Sequence, residues 1–194
     1  PISFHFHDVT PVFTMNTSRG CPFSCSFCSV RNIWGRRITA MSASRVLHDI
    51  EIAAGLGARG IYFREDNFTV RRKRLVEICN GLIENRMDVK WACETRVDSV
   101  DDDLMGLMRQ AGCIGFYVGV EHLSQPMLDV FNKEISVDQI RRFFHSTRRH
   151  GIFTHASFIV NHPMETEADR LEKDRVLAEI SPNFVVNNRY RADG

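Results

Sequence analysis

The feature that most constrains this chain is a short segment with three cysteines, Cys21, Cys25 and Cys28, at spacings of four and three residues. The pattern CxxxCxxC brings three thiolates into one tight loop. A structural zinc site is closed by four protein ligands, and a cubane iron–sulfur cluster is commonly held by four cysteines. A loop that supplies three ligands therefore predicts a metal centre with one position left open.

The residues between and before these cysteines suit a loop that wraps a metal centre. Gly20 allows the backbone to turn without a Cβ clash, and Pro22 fixes φ directly after the first cysteine. Phe23 and Phe27 are placed to shield a metal from water, and such burial helps to set its potential.

The segment Arg19–Val30, which reads RGCPFSCSFCSV, resembles the cluster-binding loop of the radical S-adenosylmethionine (SAM) superfamily, CxxxCxΦC with Φ aromatic. It is most similar to the branch whose longer members carry a cobalamin-binding domain. The resemblance implies that Cys21, Cys25 and Cys28 hold three irons of a [4Fe–4S] cluster, that Phe27 belongs to the cofactor-binding residues, and that SAM chelates the open iron. Reduction of SAM then gives methionine and a 5′-deoxyadenosyl radical, which abstracts hydrogen from a substrate for a transformation such as methyl transfer.

Two other interpretations of the cysteine loop are considered. A zinc knuckle would take its fourth ligand from His5 or His7, although zinc sites usually come as paired CxxC-like clips. The loop would then belong to a non-catalytic zinc or iron–sulfur scaffold or to an electron-transfer module. Disulfides are disfavoured because the spacings are too short for bridges within the motif.

Composition sets the outer bounds. The 194 residues are enough for one substantial domain, 1–194, with 1–11 as a lead-in segment. A formal net charge of +1 does not demand a nucleic acid or a membrane, and no run reaches the roughly 18 apolar residues of a membrane helix. The chain does not begin with Met, which indicates a piece of a longer polypeptide or a processed product.

The remaining cysteines, Cys79, Cys93 and Cys113, occur singly in apparent helix and strand positions, where a small buried hydrophobe is expected. Six cysteines with three in one motif suggest a reducing compartment, and we expect a cytoplasmic protein.

Apolar runs and amphipathic segments alternate about every 30 residues, which predicts βα units and a parallel sheet. Strands are predicted at 12–17, 60–63, 89–94, 114–120, 153–160 and 183–188, and helices from a cap at Ser42 or Ser44 to 54, then at 71–85, 101–111, 125–132, 137–149 and 166–179. The second helix is expected to face inward with Leu75, Ile78, Cys79, Leu82 and Ile83, and residues 33–37 are expected to be a linking segment. Right-handed crossovers curl such a run toward a barrel, but six units are too few to close it. The expected fold is an open, partial (β/α)6 barrel with parallel strands inside and helices outside, as the resemblance also implies.

Polar residues follow the predicted strands at the ends where α/β barrels bind ligands. Outside the cysteine loop, the candidate cofactor-binding residues are Glu65, Asp66, Asn67, Arg96, Glu121, Ser124, Asn161 and Asn188. Their convergence with the cysteine loop predicts one site at a single mouth of the barrel.

The resemblance assigns roles to some of these residues. Glu65, Asp66 and Asn67 occupy the position of a GGE-like segment that binds the SAM amino group. Arg96 and Glu121 match positions on the carboxylate or ribose side of SAM, and a guanidinium can grip a carboxylate through two bonds. The alternatives are a salt bridge from Arg96 to Asp66 or Asp98, and a structural role for Glu121.

Two segments depart from the family pattern. Gly-Ile-Glu-Ser-Gly-Ser is replaced by residues 119–124, GVEHLS, and Gly-x-Pro-Gly-Glu is replaced by residues 161–165, NHPME. The second change puts the usual backbone contact with adenine in doubt. His122 and His162 are either substrate-facing proton donors or acceptors, or packing and surface residues.

Partners follow from the same resemblance. We expect an unidentified small-molecule or peptide substrate and a one-electron donor such as flavodoxin or ferredoxin. Cobalamin is implied only through a domain that this chain does not contain. The basic runs at 71–74 and 141–149 would suit RNA, but a solvated helix face is preferred because acidic residues balance the charge.

Overall fold

The structure is a computed structural model that describes residues 8–191. His5 and His7, the proposed zinc ligands, lie outside this range, as does most of the lead-in segment. The strands are β1 (Val12–Met15), β2 (Ser18–Arg19), β3 (Thr39–Ala40), β4 (Gly60–Phe63), β5 (Lys90–Thr95), β6 (Cys113–Glu121), β7 (Phe153–Val160) and β8 (Phe184–Arg189). The helices are α1 (Val30–Trp34), α2 (Ala43–Gly55), α3 (Arg72–Glu84), α4 (Asp102–Gln110), α5 (Gln125–Val130), α6 (Val137–Arg149) and α7 (Glu167–Ile180), with a 3-10 helix at Phe68–Val70.

Six strands form one parallel sheet in the described range, in the order β1-β4-β5-β6-β7-β8. Each strand pairs with the next strand of the sheet along the chain, as expected when every crossover has the same hand. Within residues 8–191, β1 and β8 pair with other strands and not with each other, so the barrel stays open. The predicted fold class is confirmed.

Local capping explains where the helices begin. The Ser42 side chain accepts from the Arg45 backbone N–H and starts α2, and Asp101 does the same for α4 through Leu104. A reciprocal capping box between Ser136 and Gln139 opens α6. The choice between Ser42 and Ser44 is thereby resolved in favour of Ser42.

One face of the sheet packs against the helices through a large apolar core. Trp91, Phe63 and Phe68 contact each other there, with ring centroids 4.2 to 5.8 Å apart. Cys79, Cys93 and Cys113 are fully buried in this core, as predicted. The prediction that Ile83 faces inward was wrong: it is 39% exposed, because the apolar stripe of α3 ends at Leu82.

Three short elements at the cysteine loop were not predicted: α1, which lies within the loop, and β2 and β3, which flank it. The segment 33–37 was expected to be a linker, but its first residues belong to α1. Strands β2 and β3 form an antiparallel ribbon in which Ser18 pairs with Ala40 and Arg19 with Thr39. The ribbon closes the base of residues 20–38, so the cysteines lie on a loop with a fixed root. Among the described residues, no helix has the length and apolar character needed to cross a bilayer.

Candidate active site

The cysteine loop, residues 20–38, lies at the carboxyl edge of the sheet and is fastened at both ends. Gly20 has φ +90°, and a Cβ there would overlap the carbonyl oxygen of Arg37, so the turn requires glycine. On the far side, the Ser26 N–H donates to the Phe131 carbonyl at 2.9 Å, and the Asn132 amide donates to the Ser24 carbonyl at 2.9 Å. The loop is therefore docked on the end of α5.

The three loop thiols are free and half-buried. Burial raises the pKa of Cys21 and Cys28, whereas backbone N–H groups of Phe23 and Val30 donate to the two sulfurs and oppose that shift. Three soft sulfurs with N–H donors fit an iron–sulfur cluster, whose bound irons would displace the thiol protons. In the described range, no group of three or more His, Cys, Asp or Glu side chains is arranged around a single metal-ion position.

An aromatic row borders the loop on the β7–β8 side. Phe27 contacts Phe131 edge to face at 5.6 Å, Phe131 contacts His162 at 5.3 Å, and His162 contacts Tyr190 at 4.2 Å. The His162 Nδ1 also accepts from the Met164 N–H at 3.2 Å. The ring contacts favour a packing role for His162.

Arg96, after β5, reaches across to the cysteine loop and is 5% exposed. Its Nε and Nη2 donate to the two Asp98 carboxylate oxygens at 2.9 and 3.0 Å, which is the salt bridge considered from the sequence. Nη2 also donates to the Lys133 carbonyl at 2.6 Å, and Nη1 donates to Cys25 Sγ at 3.4 Å. The guanidinium carbon lies 3.7 Å from the centroid of the Phe23 ring. Its role in SAM binding stays a prediction.

Glu65 is buried and braces the ribbon to β4. Its Oε1 accepts from the Thr17 N–H and hydroxyl at 2.5 Å each, and its Oε2 accepts from the Ser18 hydroxyl. Arg74, from α3, donates to the Thr17 carbonyl at 3.3 Å and to the Met41 carbonyl at 2.9 Å. Both oxygens of Glu65 are therefore committed to holding the root of the cysteine loop.

Asp66 and Asn67 diverge in their surroundings. Asp66 is exposed, and its Oδ2 accepts from the Gly20 N–H at 2.8 Å, which ties it to the first turn of the cysteine loop. Asn67 is buried and contacts Ser99 at 3.3 Å and Thr69 at 2.9 Å. Of the predicted Glu65–Asn67 segment, Asp66 is the residue open to a ligand.

Glu121 ends β6 in the left-handed region, with φ +68°. Its Oε1 accepts from the buried Lys133 ammonium at 2.9 Å. A Cβ at Gly119 would lie 2.6 Å from Glu121 Oε1 and 3.2 Å from Lys133 Nζ, so a side chain at 119 would force this ion pair to shift. The Lys133 Nζ also lies 5.7 Å from the Phe27 ring centroid, which links β6 to the cysteine loop.

Ser124 and His122 belong to a buried network behind the strand ends. The His122 Nδ1 accepts from the Ser124 N–H at 3.0 Å, so its Nε2 carries the proton donated to Glu165 at 3.1 Å. Burial lowers the pKa of His122 despite this carboxylate. The Ser124 hydroxyl donates to Asp169 and holds the pKa of that carboxyl down. Both nitrogens of His122 are thus engaged in internal hydrogen bonds, which favours a structural role for this residue.

Asn161 and Asn188 are exposed at the ends of β7 and β8. Asn161 has φ +63°, a conformation that asparagine tolerates better than most residues. The Asn188 amide donates to the Ser157 hydroxyl at 2.8 Å, on the face of the sheet turned away from the helices.

A cavity of about 660 Å³ lies beside the cysteine loop. The ribbon, Trp34, Arg64 and the carboxylates of Glu65, Asp66 and Glu94 line it. Glu94 accepts from the Tyr62 hydroxyl at 3.0 Å, and burial raises the pKa of both groups.

The sheet face turned away from the helices continues beyond the cavity. Tyr117 and His155, paired across β6 and β7, pack their rings 4.0 Å apart. Because side chains alternate along a strand, these residues lie opposite the helix-facing core formed by Ile61, Cys93 and Phe116.

Sequence reasoning missed Lys133, Tyr62 and Glu94. Lys133 stands in a loop between two helices and reaches back to the site. Tyr62 lies within the run GIYF, which indicates core. For Glu94, the signal was available: a carboxylate next to Cys93 in a buried strand, at the alternate position that faces away from the helices.

The sequence profile of the radical SAM superfamily matches residues 15–176. The chain belongs to the radical SAM superfamily. That fold implies a [4Fe–4S] cluster and SAM, and the matched range contains all three loop cysteines and the ends of β1 and β4 to β7, but not β8 with Asn188.

The chain is also similar to individual relatives and solved structures. The chain is 36% identical, over 84% of its length and 30% of the relative's, to the anaerobic magnesium-protoporphyrin IX monomethyl ester cyclase of Rubrivivax gelatinosus. It is 30% identical, over 87% of its length and 37% of the relative's, to an uncharacterized methyltransferase of Pyrococcus horikoshii. Among solved structures, it is similar to the radical SAM methyltransferase TsrM of Kitasatospora setae with cobalamin and a [4Fe–4S] cluster bound. In that case the TM-score is 0.84 at 17% identity, over 92% of this chain and 36% of TsrM.

These comparisons confirm the resemblance to the cobalamin-associated branch and the partial-barrel fold. The chain spans about a third of the length of the relatives it matches. None of them tests the individual cofactor contacts, which stay predictions.

Proposed function

We propose that residues 1–194 are the radical SAM core domain of a longer polypeptide and catalyse hydrogen abstraction from a substrate bound at the sheet face turned away from the helices. The observation that carries this proposal is the cysteine loop, which presents three thiols at the carboxyl edge beside a cavity lined by carboxylates. Cys21, Cys25 and Cys28 would each hold one iron of a [4Fe–4S] cluster. When bound and reduced, the cluster and SAM supply the 5′-deoxyadenosyl radical.

The predicted contacts divide into two groups by exposure. Asp66, Asn161 and Asn188 are exposed at the strand ends, and we assign them direct contacts with SAM. Asp66 suits the cationic amino group, because it is an accessible carboxylate that also touches the cysteine loop. The asparagine amides supply neutral donors and acceptors for the adenosine.

The buried group positions the exposed one. Its members are Glu65, Asn67, Arg96, Glu121 and Ser124, all of which are at most 7% exposed. Glu65 holds the ribbon, and Glu121 with Lys133 fixes the end of β6 against Phe27. Such fixed polar groups keep the site in one geometry and exclude water from a reactive species.

Methyl transfer is the candidate for the step that follows hydrogen abstraction. It is favoured by the methyltransferase of Pyrococcus horikoshii at 30% identity, and TsrM, of the same fold, is a methyltransferase with cobalamin bound. The cobalamin would come from a part of the longer protein outside these residues. The methyl acceptor would be a small molecule or peptide.

The enzyme would need a one-electron donor such as flavodoxin or ferredoxin, which we place with it in the cytoplasm. Support for that compartment comes from the cysteines, which are all free in the described range.

Anaerobic reconstitution with iron and sulfide, followed by dithionite and SAM, tests the proposal. We expect about four irons and four sulfides per chain and the formation of 5′-deoxyadenosine measured by mass spectrometry. The matched variants are Cys25→Ala, in the loop, and Cys79→Ala, in the core.

Cys25→Ala should lose the cluster and the product, whereas Cys79→Ala should keep both. A wild-type chain that binds one zinc and no sulfide would overturn the proposal in favour of a scaffold. So would 5′-deoxyadenosine formation by Cys25→Ala at the wild-type rate.

A further inference from the structure

We propose that Arg96 is a positioning residue for the cluster itself. Its guanidinium places a positive charge next to the Cys25 sulfur and thereby favours one-electron reduction of the cluster. The inference rests on the proposed function, because it requires a cluster on Cys21, Cys25 and Cys28. The observation that starts it is the Arg96 Nη1 to Cys25 Sγ hydrogen bond of 3.4 Å across 71 residues of chain.

The guanidinium is fixed on every side. Asp98 binds its Nε and Nη2, the Lys133 carbonyl binds Nη2 again, and the Phe23 ring covers its face at 3.7 Å. An arginine held by a carboxylate fork loses most of its side-chain freedom, so its remaining edge has one direction. That edge, carrying Nη1, points to the Cys25 sulfur.

The same contacts weigh against a grip on the SAM carboxylate. Arginine has five N–H donors, and a two-bond grip needs two adjacent ones. The Nε–Nη2 edge is occupied by Asp98, and Nη1 has one N–H directed to sulfur. Binding a second carboxylate through two bonds would require Asp98 to be displaced.

The effect of Arg96 on reduction of the cluster follows from its positive charge. When one electron enters the cluster from the reductant, negative charge on the irons and sulfurs grows, and no bond is made or broken. A hydrogen bond from a cation to a ligand sulfur stabilises the more negative form, and such bonds tune cluster potentials. Asp98 opposes this effect only in part, because it lies behind the guanidinium while Nη1 contacts the sulfur.

A second buried cation, Lys133, has a different hydrogen-bond partner. Lys133 is buried beside the loop, but its ammonium binds Glu121 at 2.9 Å and lies 5.7 Å from the Phe27 ring centroid. In the described range, Arg96 is the cation that donates a hydrogen bond to a loop sulfur. The Lys133 charge also acts on the Cys28 sulfur, but through space, whereas Arg96 donates a hydrogen bond to the Cys25 sulfur.

A redox titration of the reconstituted chain without SAM tests the inference. The EPR signal of the reduced cluster reports the extent of reduction at each potential. Arg96→Gln should lower the midpoint potential by at least the equivalent of a tenfold change in the reduction equilibrium, about 59 mV for one electron. Arg96→Lys keeps the charge and should shift the potential less. Asp98→Asn removes the carboxylate that fixes the Arg96 guanidinium and should broaden the EPR signal of the reduced cluster. Arg72→Gln, which removes an exposed arginine bound to Asp101, is the matched control and should leave the potential unchanged.

If Arg96→Gln assembles a full cluster whose potential matches wild type, the inference is wrong, although the proposed function stands. If the wild-type chain assembles no iron–sulfur cluster, the proposed function itself is wrong. If Arg96→Gln alone fails to assemble a cluster, the comparison of Arg96→Lys and Asp98→Asn with wild type decides: unchanged potential and line shape in both would overturn the inference.

Discussion

Two sets of three cysteines occupy opposite regions of this molecule. Cys79, Cys93 and Cys113 lie in the helix-facing core, where burial raises the pKa of Cys79 to about 12 and pushes that of Cys93 well above its ordinary range. Cys21, Cys25 and Cys28 lie half-buried on a loop at the carboxyl edge. The residue type is the same, so its surroundings decide what each set does.

The contrast lies in what faces the sulfurs. In the core the sulfurs are fully buried among mainly apolar side chains, which disfavour the thiolate needed by a metal. In the loop they face N–H donors and the Arg96 guanidinium, which favour it. Burial raises the pKa of thiols in both sets, and Cys113 also has a backbone hydrogen bond with Gly115, so the sets differ in their degree of burial and in the arginine that contacts Cys25.

The largest expected effect separates the two sets by cluster content. Cys28→Ala should hold essentially no cubane, because the open iron already lacks a protein ligand. Cys113→Ala should hold the wild-type amount. Iron and sulfide analysis after anaerobic reconstitution measures both. Equal iron in the two variants would break the comparison.

Alkylation of the metal-free protein should separate the sets by rate. Buried thiols react only when the chain opens, so we expect Cys79, Cys93 and Cys113 to react at least about 100-fold more slowly than the loop cysteines. Peptide mass spectrometry after timed iodoacetamide treatment gives the rates. Similar rates at Cys93 and Cys21 would show that the core is open in solution.

Serine substitution should separate the sets by stability. Cys93→Ser places a hydroxyl in an apolar, fully buried position, and we expect it to cost about 1–3 kcal/mol of unfolding free energy. Cys28→Ser in the metal-free chain is half-exposed and should cost under about 0.5 kcal/mol. Urea denaturation measures both, and a larger cost for Cys28→Ser would reverse the interpretation.

The smallest expected effect is on the pH dependence of stability. Burial disfavours the charged form of His122, as it does for the core thiols. Burial lowers the pKa of His122 from 6.5, so in acid the unfolded chain binds a proton that the folded chain does not. His122 should therefore contribute full stability above pH 6.5 and lose it as the pH falls below that value. His122→Asn, whose side-chain oxygen can still accept from the Ser124 N–H, should show a shallower decline from pH 7 to pH 5 in thermal unfolding. Identical curves would contradict the assignment.

Much of this architecture could be predicted from the sequence, because the spacing of apolar residues within a short segment indicates a strand or a helix. The six predicted strands match β1 and β4 to β8 within two residues at each end. The ribbon of β2 and β3 could not be predicted in this way, since two residues per strand carry no period. Ile83 was misplaced because it stands at the margin of an apolar stripe.

The site was predicted in outline and missed in its detail for a physical reason. Strand-end residues such as Asp66 and Asn161 can be located because every parallel strand ends at the same edge. The partners of those residues depend on long-range docking. Lys133 reaches Glu121, and Arg96 reaches Cys25, through contacts that no local pattern encodes.

The proposed activity depends on a cubane with three protein ligands and one iron open to SAM. The most direct test is the EPR spectrum of the reduced, reconstituted chain before and after SAM is added. We expect the g-values of the cluster signal to shift on addition of SAM, because its amino and carboxylate groups bind the open iron. A four-iron signal that SAM leaves unchanged, at concentrations that saturate related enzymes, would contradict the account.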